Sequence, residues 1–355
     1  MPEGPLIPDY IRSLPPYPRG EERKGVVRLS ANENPLGPPP LALKAMRGAL
    51  EEVNRYPQGG QELKEELSRR FGLREENIIL GNGSDEIIEM AVRVFLREGD
   101  EVIIPYPSFA YYEIASLAEG GRCVKVPLRE HRIDLKGVAH SVTPRTRLIF
   151  LNNPNNPTGT IYTREEFQSL LEELPKGVVV IVDEAYGEYV SSQEYPRYQE
   201  YLEGDHWILT LKTFSKFYGL AGMRIGYALA REEIIGFLER VHQPFNVNSL
   251  ALVAALAALR DEEYQRKTQS LNLEGRAYLS EEMRRLGVRF VPTEANFFLI
   301  EIGEGVKDLM EMLREEGVAV RDMEGYGLHG FLRVTIGLPE ENKRFIEVLQ
   351  RWKMT

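Results

Sequence analysis

Residues 178–182 read Val-Val-Val-Ile-Val, an unbroken apolar and β-branched run, and this run restricts the fold of the chain most tightly. A strand with one face in water alternates apolar and polar side chains. A run without alternation is the mark of a strand buried on both faces, as in a parallel sheet covered by helices. Further strands read at 77–80 and 147–151, apolar after an opening Asn77 and Arg147, and they alternate with helical patterns such as Gln61–Phe71 and Arg164–Glu173. From 35 to about 248 the alternation implies right-handed strand-helix-strand units, hence an α/β fold with a mostly parallel sheet flanked by helices. From 249 onward the pattern changes to a long helix, a strand at 297–300, a helix at 306–316 and a strand at Phe331–Thr335, which predicts a smaller α+β unit. Residues 2–18 are too rich in proline for a core element and read as an arm lying on another surface. The expected organisation is an arm over 1–34, a large α/β domain over 35–248 and a small domain over 249–355.

Open α/β sheets bind ligands beyond the carboxyl ends of their strands, and the reactive side chains of this sequence fall there. The central run ends in Asp183-Glu184-Ala185-Tyr186. An aspartate at that point either caps the next turn or meets a cationic partner. A protonated pyridine nitrogen is such a partner, and Tyr186 would then reach an oxygen on the same ring. Thr213-Phe214-Ser215-Lys216, followed by Leu220-Ala221-Gly222-Met223-Arg224, brings an amine, two hydroxyls and a guanidinium together. The amine can condense with an aldehyde, while Ser215 and Arg224 can hold a phosphate through charge-assisted hydrogen bonds, a combination suited to pyridoxal phosphate. A lone lysine is usually a solvated surface charge, so the reading of Lys216 rests on these neighbours.

Two loops add to the set. Residues 152–159 read Asn-Asn-Pro-Asn-Asn-Pro-Thr-Gly; proline and asparagine are turn formers, yet four asparagines exceed what a turn requires. An amide from Asn156 aimed at the ring oxygen near Tyr186 would stabilise its anionic form. After the strand at 77–80 comes Gly81-Asn82-Gly83-Ser84-Asp85, where a helix opening near Ser84 offers free N–H groups and a positive dipole end to a phosphate. The spacing is neither the Walker nor the dinucleotide pattern. On the apolar strand Phe331-Leu332-Arg333-Val334, a guanidinium needs an anion, and Arg321 in Val318-Ala319-Val320-Arg321 looks similar.

Bulk properties exclude other classes. A net charge of −10 with no basic patch argues against nucleic-acid binding. The single cysteine, Cys123, excludes an intrachain disulfide framework and fits a reducing cytoplasm. The opening Met1-Pro2-Glu3-Gly4-Pro5 carries no secretory pattern, and the apolar stretch at 250–259 is too short to span a bilayer. Five histidines stand without ligand spacing, so no metal site is expected.

In order and approximate spacing, Gly83-Ser84-Asp85, the 152–159 loop, Asp183 to Tyr186 and Ser215-Lys216 through Arg224 resemble the fold type I pyridoxal-phosphate aminotransferases. Within them the chain is most similar to the histidinol-phosphate aminotransferases. Further matches are Leu29-Ser30-Ala31-Asn32-Glu33-Asn34-Pro35, Arg55-Tyr56-Pro57, Gln243-Pro244-Phe245-Asn246-Val247-Asn248 and Leu332-Arg333-Val334-Thr335-Ile336-Gly337.

The resemblance implies a cytoplasmic homodimer with shared active sites. It makes Lys216, Asp183 and Tyr186 catalytic, and Gly83, Ser84, Asp85, Phe109, Asn156, Thr213, Ser215, Arg224 and Tyr56 cofactor-binding. Phe109 would stack on the pyridine ring, and Tyr56 would reach the cofactor phosphate of the opposite subunit. Tyr17, Asn32, Arg321 and Arg333 would bind substrate, although Pro16-Tyr17-Pro18-Arg19-Gly20 departs from the family pattern by a shifted proline. The implied reaction joins histidinol phosphate and 2-oxoglutarate to imidazole acetol phosphate and glutamate in histidine biosynthesis. An aromatic aminotransferase and a threonine-phosphate decarboxylase-like enzyme are alternatives. A non-enzymatic regulator ranks far below, since the roughly thirty proline-rich residues before Ser30 cannot hold a helix-turn-helix.

Overall fold

The structure is a computed structural model in which residues 7–12, 14 and 25–354 are described. Seven strands form the main sheet in the spatial order Ile78–Gly81, Gly226–Ala230, Trp207–Thr213, Val179–Asp183, Thr146–Asn152, Glu101–Tyr106, Arg122–Pro127. Only Gly226–Ala230 runs against the others; the remaining neighbours pair in parallel. The β-branched run does lie at the centre, covered on both sides. Val180 and Val182 join one apolar cluster, while Val179 and Ile181 join another on the opposite face. This double burial is the reason for the missing alternation in the sequence.

The C-terminal part carries a four-stranded antiparallel sheet in the order Arg321–Asp322, Phe331–Thr335, Phe297–Glu301, Arg289–Val291. The helices Glu262–Arg285, Val306–Glu315 and Pro339–Met354 contribute to its core through Leu279, Met283, Leu309, Leu313, Phe345 and Leu349. The single long helix expected after 249 is two, Ser249–Arg260 and Glu262–Arg285. Asp261 separates them: its side chain accepts from Tyr264 N at 3.1 Å and from Leu41 N at 3.3 Å, so it caps the second helix and ties it to the Pro40–Ala49 helix. Ala251, Ala254, Ala255 and Ala258 of the first helix belong to the core of the large sheet.

Val27–Arg28 pairs in parallel with Val318–Ala319. This pairing carries residues 30–32 across the gap between the two sheets, above the carboxyl ends of the central strands, where they reach Tyr186, Lys216 and Thr335. Among the described residues no helix is long and apolar enough to cross a membrane.

Candidate active site

A cavity of about 720 Å³ opens at those strand ends, between the large sheet, the small sheet and the segment at 30–33. One end of it is built for an anion. The Ser84–Phe95 helix begins after Gly83, and no side chain caps its first turn, so its N–H groups face the cavity. Gly83 sits at φ +80°, and a Cβ there would lie 2.6 Å from Arg224 Nη2. Gly226 answers it from the strand side, because a Cβ there would lie 2.6 Å from Ser84 N. Glycine at both positions lets the arginine and the helix end approach each other. Arg224 itself adopts φ 52°, its Nη1 donating to Ser215 Oγ at 3.4 Å and its Nη2 pairing with Asp85 Oδ2 at 2.9 Å. Thr213 Oγ1 accepts from Ser215 N at 3.0 Å, which turns the chain toward Lys216.

Phe109 lines one wall of the cavity, and Asp183 and Asn156 reach it from the ends of their strand and loop. Asp183 stands in register with Asn152 of the neighbouring strand. Its carboxylate accepts from Tyr112 Oη at 2.7 Å and from Ala185 N at 2.9 Å. Burial raises its pKa to about 6, with the hydrogen bonds from Tyr112 and Ala185 opposing the rise. Asn152 Oδ1 is buried with no hydrogen-bond partner among the described residues. The other asparagines of the loop divide the work. Asn153 Nδ2 donates to Tyr162 O and to Tyr198 Oη, and Asn155 Nδ2 donates to Thr158 Oγ1, so both hold the turn. Only Asn152 and Asn156 line the cavity.

Lys216 Nζ donates to Ala31 O at 2.9 Å. Burial, reinforced by the positive charge of Arg333, lowers its pKa to about 8. Tyr186 Oη accepts from Asn32 Nδ2 at 2.9 Å, and burial lifts that phenol to about 12. Arg333 is buried, its Nη1 donating to Asn156 Oδ1 at 2.5 Å and its Nη2 to Ser30 O at 2.8 Å. Arg321 is its direct cross-strand partner, so the two guanidiniums share one face of the small sheet and both line the cavity.

The structure thus brings together Ser84, Asp85, Phe109, Asn156, Asp183, Tyr186, Thr213, Ser215, Lys216, Arg224, Asn32, Arg321 and Arg333 around one cavity, with Gly83 directly beside it. Tyr56 is not among them: it is 78% exposed and stacks on Phe245 at 4.5 Å. Tyr17 lies outside the described residues. Sequence reasoning missed Tyr112, whose helical position reads as ordinary core, and the carbonyls of Ser30 and Ala31, which as backbone groups leave no mark on composition. Among the described residues no cluster of three or more His, Cys, Asp or Glu side chains could hold a metal ion.

Residues 24–349 match the family model described as aminotransferase class I and II. The chain belongs to that family. It is 44% identical to a histidinol-phosphate aminotransferase of Moorella thermoacetica, over 98% of this chain and 92% of the relative. It is 39% identical to histidinol-phosphate aminotransferase 2 of Nitrosospira multiformis, over 97% and 91%. Among solved structures, the histidinol-phosphate aminotransferase of Sinorhizobium meliloti in complex with pyridoxal-5'-phosphate superposes with a TM-score of 0.89 at 27% identity, covering 97% of this chain and 96% of that one.

Proposed function

We propose that the protein is a pyridoxal-phosphate-dependent aminotransferase that exchanges the amino group between histidinol phosphate and 2-oxoglutarate, the step that yields imidazole acetol phosphate and glutamate, or the reverse, in histidine biosynthesis. The observation that carries the reading is a half-buried lysine with a lowered pKa, standing between an anion cradle and a paired-arginine face in one cavity. The names of the relatives and of the structural neighbour support the same substrate and cofactor.

The residues present fit the cofactor. The uncapped Ser84 helix end, Ser215 and Arg224 suit its phosphate, and the glycine at 83 leaves the room that a Cβ would fill. Phe109 suits the ring face, Asp183 the ring nitrogen, and Asn156 and Tyr186 the ring oxygen. Bound there, pyridoxal phosphate supplies an electron sink for the bond electrons released at the substrate's Cα.

The side chains do the rest. Lys216 Nζ, its pKa lowered to about 8, keeps a neutral fraction of roughly a tenth at pH 7, far more than an unshifted lysine, and in that form can take the proton from the substrate's Cα and later return it. Ala31 O anchors Lys216 Nζ and Ser30 O anchors Arg333 Nη2, so each basic group is tied to its own backbone carbonyl. Arg333 and Arg321 receive the anionic end of the substrate, a phosphate or a distal carboxylate. Asn32, held by Thr335, donates to Tyr186 Oη and so fixes that hydroxyl at the cavity wall.

Asp183→Asn preserves shape and removes the charge that stabilises a cationic ring nitrogen. We expect turnover to fall by about 10²-fold, roughly 2.7 kcal/mol of transition-state stabilisation, with the cofactor still bound. Single-turnover rates of the loaded variant check this, and a near wild-type rate would remove Asp183 from the role.

The same reading includes a cytoplasmic homodimer with shared sites. Val53, Tyr56 and Phe245 are more than half exposed in the single chain, as expected for a surface that a second copy covers. Tyr56 would then complete the phosphate cradle of the opposite subunit. Mixing Tyr56→Ala subunits with Lys216→Ala subunits should restore roughly a quarter of wild-type activity at equal ratio, since about half the dimers are mixed and each holds one intact site. Activity no greater than that of the parents, with subunit exchange verified, contradicts cross-subunit donation. Because the Ser249–Arg260 helix shares the core of the large sheet, the boundary between the large and small domains belongs near Asp261 in this reading, with the arm before residue 35.

A further inference from the structure

Tyr112 stands behind the residues that line the cavity. It is wholly buried near the start of the Tyr111–Ala118 helix, its ring stacked on Phe150 at 4.5 Å and edge-on to Phe109 at 5.4 Å. A buried phenol requires a partner, and here the partner is the carboxylate that ends the central strand: Tyr112 Oη donates to Asp183 Oδ2 at 2.7 Å. The two aromatic contacts fix the direction of that donor. With Ala185 N on Oδ1 at 2.9 Å, each carboxylate oxygen holds one bond and keeps a lone pair for a further donor from the cavity.

We infer that Tyr112 is a positioning residue for the cofactor, which acts through Asp183 by fixing its carboxylate and holding it anionic toward the pyridine nitrogen. This rests on the proposal that Asp183 faces that nitrogen. The groups that act on Asp183 are Tyr112 from its own helix, Asp85 from the Ser84–Phe95 helix, Lys212 from the adjoining strand and Tyr186 from the following turn. Of those that favour its charged form, the Tyr112 hydroxyl is the strongest, ahead of the Ala185 N–H and Lys212. Burial first, then the charge of Asp183, holds the Tyr112 phenol well above its usual value, so it stays a donor throughout the working pH range. Without that donor the carboxylate would compete better for the proton it shares with the ring nitrogen.

Tyr112→Phe keeps the ring and its stack while deleting the donor. The test uses holoenzyme loaded with pyridoxal phosphate carrying ¹⁵N at the ring nitrogen, together with equilibrium dialysis of pyridoxal phosphate against the cofactor-free protein. The ¹⁵N signal of Tyr112→Phe should move toward the unprotonated position, with its titration midpoint lowered by about one pH unit. Cofactor affinity should fall about tenfold or more. In an Asp183→Asn background, adding Tyr112→Phe should change neither readout further, because the hydroxyl acts through the carboxylate. If Asp183→Asn shifts the nitrogen signal and Tyr112→Phe does not, Tyr112 is packing alone and the inference fails. If Asp183→Asn leaves the signal unmoved, the assignment of Asp183 itself fails, and this one with it.

Discussion

Lys216→Ala should abolish multiple turnover, with a loss of at least about 10⁴-fold, and should end covalent labelling of the protein by pyridoxal phosphate and borohydride. The size follows from two functions resting on one amine. In the proposed mechanism Nζ is the nucleophile that bonds the aldehyde and also the base that moves the substrate's Cα proton. The other lysine near the strand end, Lys212, cannot substitute. It is buried in ion pairs with Glu184 at 3.4 Å and Glu188 at 3.1 Å, which hold it protonated and unreactive. Lys216, by contrast, faces the cavity with a pKa brought down by burial. Mass analysis of the reduced, digested variant checks the assignment, and stoichiometric labelling at another lysine would contradict it.

The main architecture was legible because physics leaves a simple trace in this part of the chain. Strands buried on both faces lose their alternation, and the residues just beyond their carboxyl ends are those that open α/β sheets expose to ligands. Lys216, Asp183, Asn156 and the Gly83 loop could therefore be found from position and residue type. Other features depended on three-dimensional pairing. That Arg321 and Arg333 stand side by side is a matter of strand register between segments that a turn separates. The Ser30 and Ala31 carbonyls enter the cavity only because Val27–Arg28 pairs with Val318–Ala319, almost three hundred residues away. Tyr112 gave no signal because an aromatic side chain early in an apolar helix has the same appearance whether it fills space or aims a hydroxyl. The break at Asp261 was missed because the pattern stays helical on both sides, and only the cap to Tyr264 and the bond from Leu41 mark the division.

The substrate proposal makes a demand as large as that on Lys216. Two guanidiniums on one face suit the several oxygens of a phosphate better than a single carboxylate. If Arg321 and Arg333 receive the phosphate as proposed, histidinol brings them no anion and forfeits the charge-assisted hydrogen bonds that histidinol phosphate would make. Sites built around polar partners reject analogues that lack the matching group by about 10⁴-fold, roughly 5.5 kcal/mol. Arg321→Ala should accordingly harm histidinol phosphate more than glutamate, whose distal carboxylate needs fewer donors.

The preference for a phosphorylated amine is read from kcat/KM for histidinol phosphate, histidinol and phenylalanine, with 2-oxoglutarate as acceptor and the purified holoenzyme. The value for histidinol phosphate should lie about 10⁴-fold above that for histidinol and well above that for phenylalanine. Comparable values for all three would contradict it and point to a broad aromatic aminotransferase.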